Sequence, residues 1–158
     1  MIGVVELSTK DLENQLLNTK TADIDKFFKD NSDYMIDDSV RAFEDFFKDT
    51  ARSKRIKFKD IYLRAGFSES YGEKLLSGET HTTDRDRILR LCIAGHFSIS
   101  ETDKALNLYK MNPLYPKDKR DACIIVKINN KKYDLDDIDD ALTKQNLQPL
   151  MRWENKNM

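Results

Sequence analysis

The 158 residues hold only five glycines and three prolines. An all-β chain with many tight turns would need more of both. Two cysteines and two histidines are too few and too scattered for most metal chemistry. Cys92, Cys123, His81 and His96 contain neither the close Cys pair nor the close His pair that zinc spacing requires. Both cysteines sit in apolar helical patterns and read as buried free thiols, with no base beside either to activate it. The longest apolar run, residues 122–126, is far short of the ~20 residues that span a membrane, and the opening "MIGVVELSTK" has no basic leader. A cytoplasmic protein without a membrane span is expected. A glycine-rich phosphate loop, a nucleophile with its base and an isolated carboxylate pair are all missing. No enzyme and no cofactor are therefore expected.

An excess of one charge is missing too. The formal net charge is −1, although 35% of residues are charged. The distribution is uneven. Residues 1–40 carry 4 basic and 9 acidic side chains, whereas residues 41–90 carry 12 and 9. The densest basic run is Arg52, Lys54, Arg55, Lys57 and Lys59, with no acid inside it. A polyanion would meet the middle of the chain rather than its ends.

Apolar residues recur at spacings of three, four and seven, and no alternating run interrupts them, so the chain reads as all-α. One helix starts at the cap Ser8 with Leu12, Leu16 and Leu17 inward. A second follows Thr21 with Ile24, Phe27 and Phe28 inward. "DNSD" (30–33) breaks it, and Ser39 is the next cap. Val40, Phe43, Phe47 and Ala51 then form a stripe, followed by Phe58, Ile61, Tyr62 and Ala65. Gly66 ends that helix and Ser68 caps the next, whose inward side is Tyr71, Leu75 and Leu76. Gly72 inside it costs roughly 1 kcal/mol relative to Ala, which points to close packing on a neighbouring helix. Ile88, Leu91, Cys92 and Gly95 form a further stripe.

An internal repeat follows. Residues 97–114 align with 133–150 at an offset of 36, matching Asp103, Ala105, Leu106, Pro113 and Leu114 to Asp139, Ala141, Leu142, Pro149 and Leu150. Extended backward, Ile88 falls on Ile124. Two units are too few for a solenoid and are expected to pack as helical hairpins on what precedes them. The acids from Asp134 to Asp140 lack the central Gly and terminal Glu of a calcium loop. They read as the acidic first turn of a helix. Trp153 stands alone in the tail.

The stretch "IKFKDIYLRAGFSESYGEKLLSGE" (56–79) combines a helix, a glycine-led turn at Gly66-Phe67, the cap Ser68, a second helix and Ser77-Gly78. It resembles the helix-turn-helix of the lambda-repressor-like (XRE/Cro) family. The whole chain is similar to small bacterial proteins of that type, which carry an N-terminal helical extension and a "PLYP…RDA" tail, here Pro113–Pro116 and Arg120–Ala122. The resemblance implies a five-helix domain over 39–114. Around it lie an N-terminal helical extension (1–38), a C-terminal helical hairpin (115–150) and a tail (151–158). It implies a transcriptional regulator whose second helix enters the major groove of double-stranded DNA. The base-reading candidates are Ser68, Glu69, Ser70, Glu73 and Lys74. The phosphate candidates are Arg55, Lys57, Lys59, Ser77, Thr80 and Thr82. Such domains generally act as dimers, so a homodimer is expected. Glu69, Glu73, Glu79 and Phe58 depart from the family pattern. They favour an alternative, an adaptor on the same fold with a protein partner in place of DNA.

Overall fold

A computed structural model describes residues 9–32, 35 and 38–151 of the chain. All of its regular structure is helical, and no strand occurs among the described residues. The chain divides into two compact units at residues 36 and 37.

The first unit contains α1 (Thr9–Leu17), a single 3₁₀ turn (Thr21–Asp23) and α2 (Ile24–Asp30). Both helices fall where the apolar spacing puts them, but their burial differs from expectation. Phe27 is the one buried apolar side chain described here, while Leu16, Leu17, Ile24 and Phe28 are exposed. Two helices of nine and seven residues enclose too little volume to cover both sides of a stripe. Asn31 is buried beside Phe27, and its amide donates to Gln15 Oε1 at 2.9 Å and to Phe27 O at 3.0 Å. The predicted cap Ser8 and residue 33 of the "DNSD" break lie outside the described residues, as do the side chains of Ser39 and Val40 and the tail with Trp153.

The second unit contains α3 (Asp38–Ser53), α4 (Phe58–Arg64), α5 (Glu69–Ser77), α6 (Arg85–Ala94), α7 (Ile99–Leu108), α8 (Lys119–Asn129) and α9 (Leu135–Lys144). Helix α6 is its axis. Every residue from Ile88 to Ala94 is buried, as a helix surrounded by others requires. Helices α4, α7 and α9 pack against it. Phe43 and Phe47 of α3 meet Tyr109 and Phe97, with ring centroids 4.8 Å apart in both pairs. The same continuous core includes Ile124, Ile138, Leu142 and Leu150. The C-terminal hairpin packs into this core and belongs to the same unit.

Six helices stop in the same way. Arg55, Gly66, His96, Lys110, Lys131 and Asn146 each have positive φ. In each case that residue's N–H bonds the carbonyl three back, and the next residue's N–H bonds the carbonyl five back. This is the Schellman motif. Only one of the six uses glycine, which is why a glycine-poor sequence still turns so often.

The repeat is present, with one adjustment. Asp103 Oδ1 accepts from Leu114 N–H at 2.9 Å, and Asp139 Oδ1 accepts from Leu150 N–H at 2.6 Å. These bonds keep the offset of 36. Within α6 and α8 the offset is 35, because Asp86, Leu89 and Ile93 are buried where Asp121, Ile124 and Ile128 are. The turn between α8 and α9 holds one extra residue. Ile124 thus matches Leu89, not Ile88, which corrects the alignment read from sequence.

Candidate nucleic-acid interface

Helices α4 and α5 are joined by four residues, Ala65 to Ser68. Gly66 takes φ +84° and Ser68 caps α5, its hydroxyl accepting from Tyr71 N–H at 3.1 Å. A Cβ on Gly72 would clash with the ring of Tyr62, so the glycine lets α5 cross close to α4. Burial pushes the Tyr62 phenol well above its ordinary range, and a hydrogen bond to Glu73 pushes it further.

The base-reading candidates separate into two groups. Ser68, Glu69, Ser70 and Lys74 are exposed on α5 and its cap. Glu73 is not free: Tyr62 Oη donates to its Oε1 at 2.7 Å, and Lys48 Nζ donates to its Oε2 at 3.3 Å. Lys48 also pairs with Glu44. The carboxylate of Glu73 thus ties α5 to α3 and α4 instead of standing out from the helix.

The phosphate candidates separate likewise. Arg55, Lys57 and Lys59 are exposed, and none forms an ion pair among the described residues. Their neighbours in the basic run are engaged, Arg52 with Asp49 and Lys54 with Glu101 at 2.8 Å. Ser77 is half-buried, and its hydroxyl donates to Lys74 O and accepts from Glu79 N–H. Thr80 is half-buried as well, its N–H bonded to Lys74 O. Thr82 is only 6% exposed. Its N–H donates to Tyr109 Oη and its Oγ1 accepts from Asp84 N–H. It serves the entry to α6 and does not form part of the surface, which removes it from the candidate interface.

Phe58, at the start of α4, packs against the core under two cations. Arg52 lies 5.3 Å and Lys48 5.5 Å from its ring centroid. Sequence reasoning missed Arg90. Buried on α6, it donates to Ala65 O at 3.0 Å and lies 4.4 Å over the Phe67 ring, holding the α4–α5 turn from below. A lone arginine inside an apolar stripe was the available signal. Tyr71, expected on the inward side, is half-buried between Phe67 and Arg87. Burial pushes the Cys92 thiol far up, which leaves it chemically quiet, and Cys123 is half-buried.

No helix among the described residues is long and apolar enough to cross a membrane. The acidic stretch opens α9 as expected: Asp134 caps it, and Asp136 and Asp137 stand in its first turn. Comparison of the chain with protein-family models, with curated proteins and with solved structures returned no match.

Proposed function

We propose that the protein is a sequence-specific DNA-binding regulator, acting by binding and not by catalysis, with α4 and α5 as its helix-turn-helix. One observation carries this reading. The leading end of α5 is exposed at Ser68, Glu69 and Ser70, Lys74 is exposed further along the helix, and the same unit offers Arg55, Lys57 and Lys59 as cations without ion-pair partners among the described residues. Glu73, one of the acids that argued against a phosphate neighbour, is held by Lys48 and Tyr62. Arg55, Lys57 and Lys59 supply non-specific affinity, and the first turn of α5 reads base edges. Glu69 suits a cytosine amine. The regulator works in the cytoplasm as a homodimer on paired half-sites.

Fluorescence anisotropy with a random-sequence duplex pool, at a series of salt concentrations, tests it. Affinity should fall with salt. In Lys57→Glu/Lys59→Glu the log–log slope should shrink by about 1.8, the loss of two phosphate contacts. Absence of binding at low salt by a folded protein defeats the reading. The adaptor reading draws on Leu63, which is 73% exposed on α4 and suits a protein partner better than a phosphate.

A further inference from the structure

A groove of about 490 Å³ opens where α4, the two interhelical turns and the C-terminal stretch converge. Its size is that of a small-molecule site. Three kinds of group line it. Arg64 and Lys131 bring positive charge, Asp134 and Asp136 bring negative charge, and Tyr133, Leu135 and Met151 bring apolar surface. The ring of Tyr133 stacks on His96 with centroids 4.5 Å apart and planes 13° from parallel.

The charges are not used up within the fold. Arg64 and Lys131 have no ion-pair partner among the described residues. Asp134 is spent on its own helix, accepting from Asp136 N–H at 3.0 Å, but no described group bonds the Asp136 carboxylate. His96 adds no cation at neutral pH, because burial, then Arg64 and Lys54, hold its pKa below the usual value. The groove therefore presents a cationic group, an anionic group and a flat aromatic ring within one small volume.

The repeat marks the same place. In the first hairpin the turn residue Phe97 is fully buried. The second hairpin's turn has one residue more, and its aromatic, Tyr133, is only half-buried and faces this groove.

We propose that the groove binds a free aromatic α-amino acid. The ligand's carboxylate meets Arg64 and Lys131, its ammonium meets Asp136, and its ring lies against Tyr133 and Leu135. A guanidinium matches a carboxylate in two parallel hydrogen bonds, and aromatic rings pack in offset stacks. Binding of this kind does not depend on DNA contact.

Isothermal titration calorimetry on the full chain tests it with four probes. L-Phenylalanine carries all three features; 3-phenylpropionate lacks the ammonium, phenethylamine lacks the carboxylate, and L-alanine lacks the ring. L-Phenylalanine should bind at one site, at least about tenfold more tightly than each of the others, the loss expected for one charge-assisted contact or ring. Arg64→Gln should weaken L-phenylalanine and 3-phenylpropionate about tenfold and leave phenethylamine unchanged. Asp136→Asn should weaken L-phenylalanine and phenethylamine and leave 3-phenylpropionate unchanged. A general loss of fold would not produce these opposite patterns. Absence of heat with L-phenylalanine up to its solubility limit overturns the proposal. So does equal affinity for any truncated probe, and the probe series on the unaltered protein decides even where a variant fails to fold.

Discussion

The hairpins α6–α7 and α8–α9 make the same bonds but differ in burial. Arg85 Nε donates to Asn112 O and its Nη2 to Pro113 O, while both Nη atoms grip Asp121 at 2.9 Å. Arg120 repeats this on Gln148 O and Pro149 O and grips Asp86 at 2.7 and 2.9 Å. Each arginine thus ties down its own unit's Pro-Leu stop and crosses to the other unit's aspartate. The exchange is reciprocal, and so are the contacts of α6 with α9 and of α7 with α8. Two units joined in this way close on each other, whereas stacked solenoid repeats leave an open end. Burial breaks the equivalence. Leu91 on α6 is fully buried, while Val126, its counterpart 35 residues on, is 58% exposed. The duplicated polar bonds fix how the hairpins meet, and the unequal apolar surface decides which one is the axis of the unit.

The largest effects expected test that inequality. Leu91→Ala removes apolar volume from a filled site and should cost about 3–4 kcal/mol. Val126→Ala removes little that is covered and should stay within about 0.5 kcal/mol, with Ala's helix preference offsetting the lost contacts. Urea denaturation of the two variants measures both, and similar losses would remove the distinction. Arg120→Ala comes next, at about 3 kcal/mol. It leaves Asp86 without its bidentate partner and frees two carbonyls. The value is the low end for a broken buried pair, because the Arg120 side chain keeps 20% of its surface in water.

Much of this was legible in the sequence, and its limits are physical. Helix identity followed from apolar spacing, and the stops at Asp103–Leu114 and Asp139–Leu150 followed from the repeat, because an aspartate 11 residues before the Leu of Pro-Leu recurs in both units. The extra residue near Tyr133 did not follow. A helical stripe tolerates a shift of one, so pairing Ile88 with Ile124 looked as good as pairing Leu89 with it. The exposure of Ser68, Lys57 and Lys59 was legible, because the local chain decides it. It was not legible at Glu73 or Thr82, whose partners Tyr62, Lys48 and Tyr109 arrive from other helices. The exposure of Leu17 and Phe28 followed from the shortness of α1 and α2, which periodicity does not register.

Acid should separate two carboxylates of the second hairpin, Asp121 on α8 and Asp139 on α9. Burial alone would raise the Asp121 pKa, but the bonds from Arg85 and Tyr115 N–H and the nearby arginine charges outweigh it and hold the group below its ordinary value. Its contribution is full above the unfolded value, about 3.9, and is lost as pH falls through the lower folded value. For Asp139, burial raises the pKa, and the bonds from Leu150 and Met151 N–H oppose the rise without cancelling it. Protonating it as pH falls through the raised value therefore adds stability, which is lost again as pH rises. In thermal melts between about pH 5 and pH 2.5, Asp121→Asn should flatten the acid loss and Asp139→Asn should steepen it. Parallel curves for the two variants would mean that neither carboxylate differs from its unfolded state in the way described.

The smallest effect concerns the turns. Lys131 ends α8 and Asn146 ends α9, both as left-handed stops, with φ of 56° and 58°. A lysine in this region crowds its Cβ against the backbone, and the glycine of a Schellman stop does not. Asparagine tolerates the region better than most residues. Lys131→Gly should therefore stabilise the chain by about 0.5–1 kcal/mol, net of the entropy that glycine restores to the unfolded state. Asn146→Gly should gain less than half as much. The two midpoints, measured in the same denaturant series, tell backbone strain from side-chain contact. If Lys131→Gly destabilises, the lysine is making contacts at the groove that outweigh its strain, and the second hairpin's longer turn is held by its side chains as well as by its backbone.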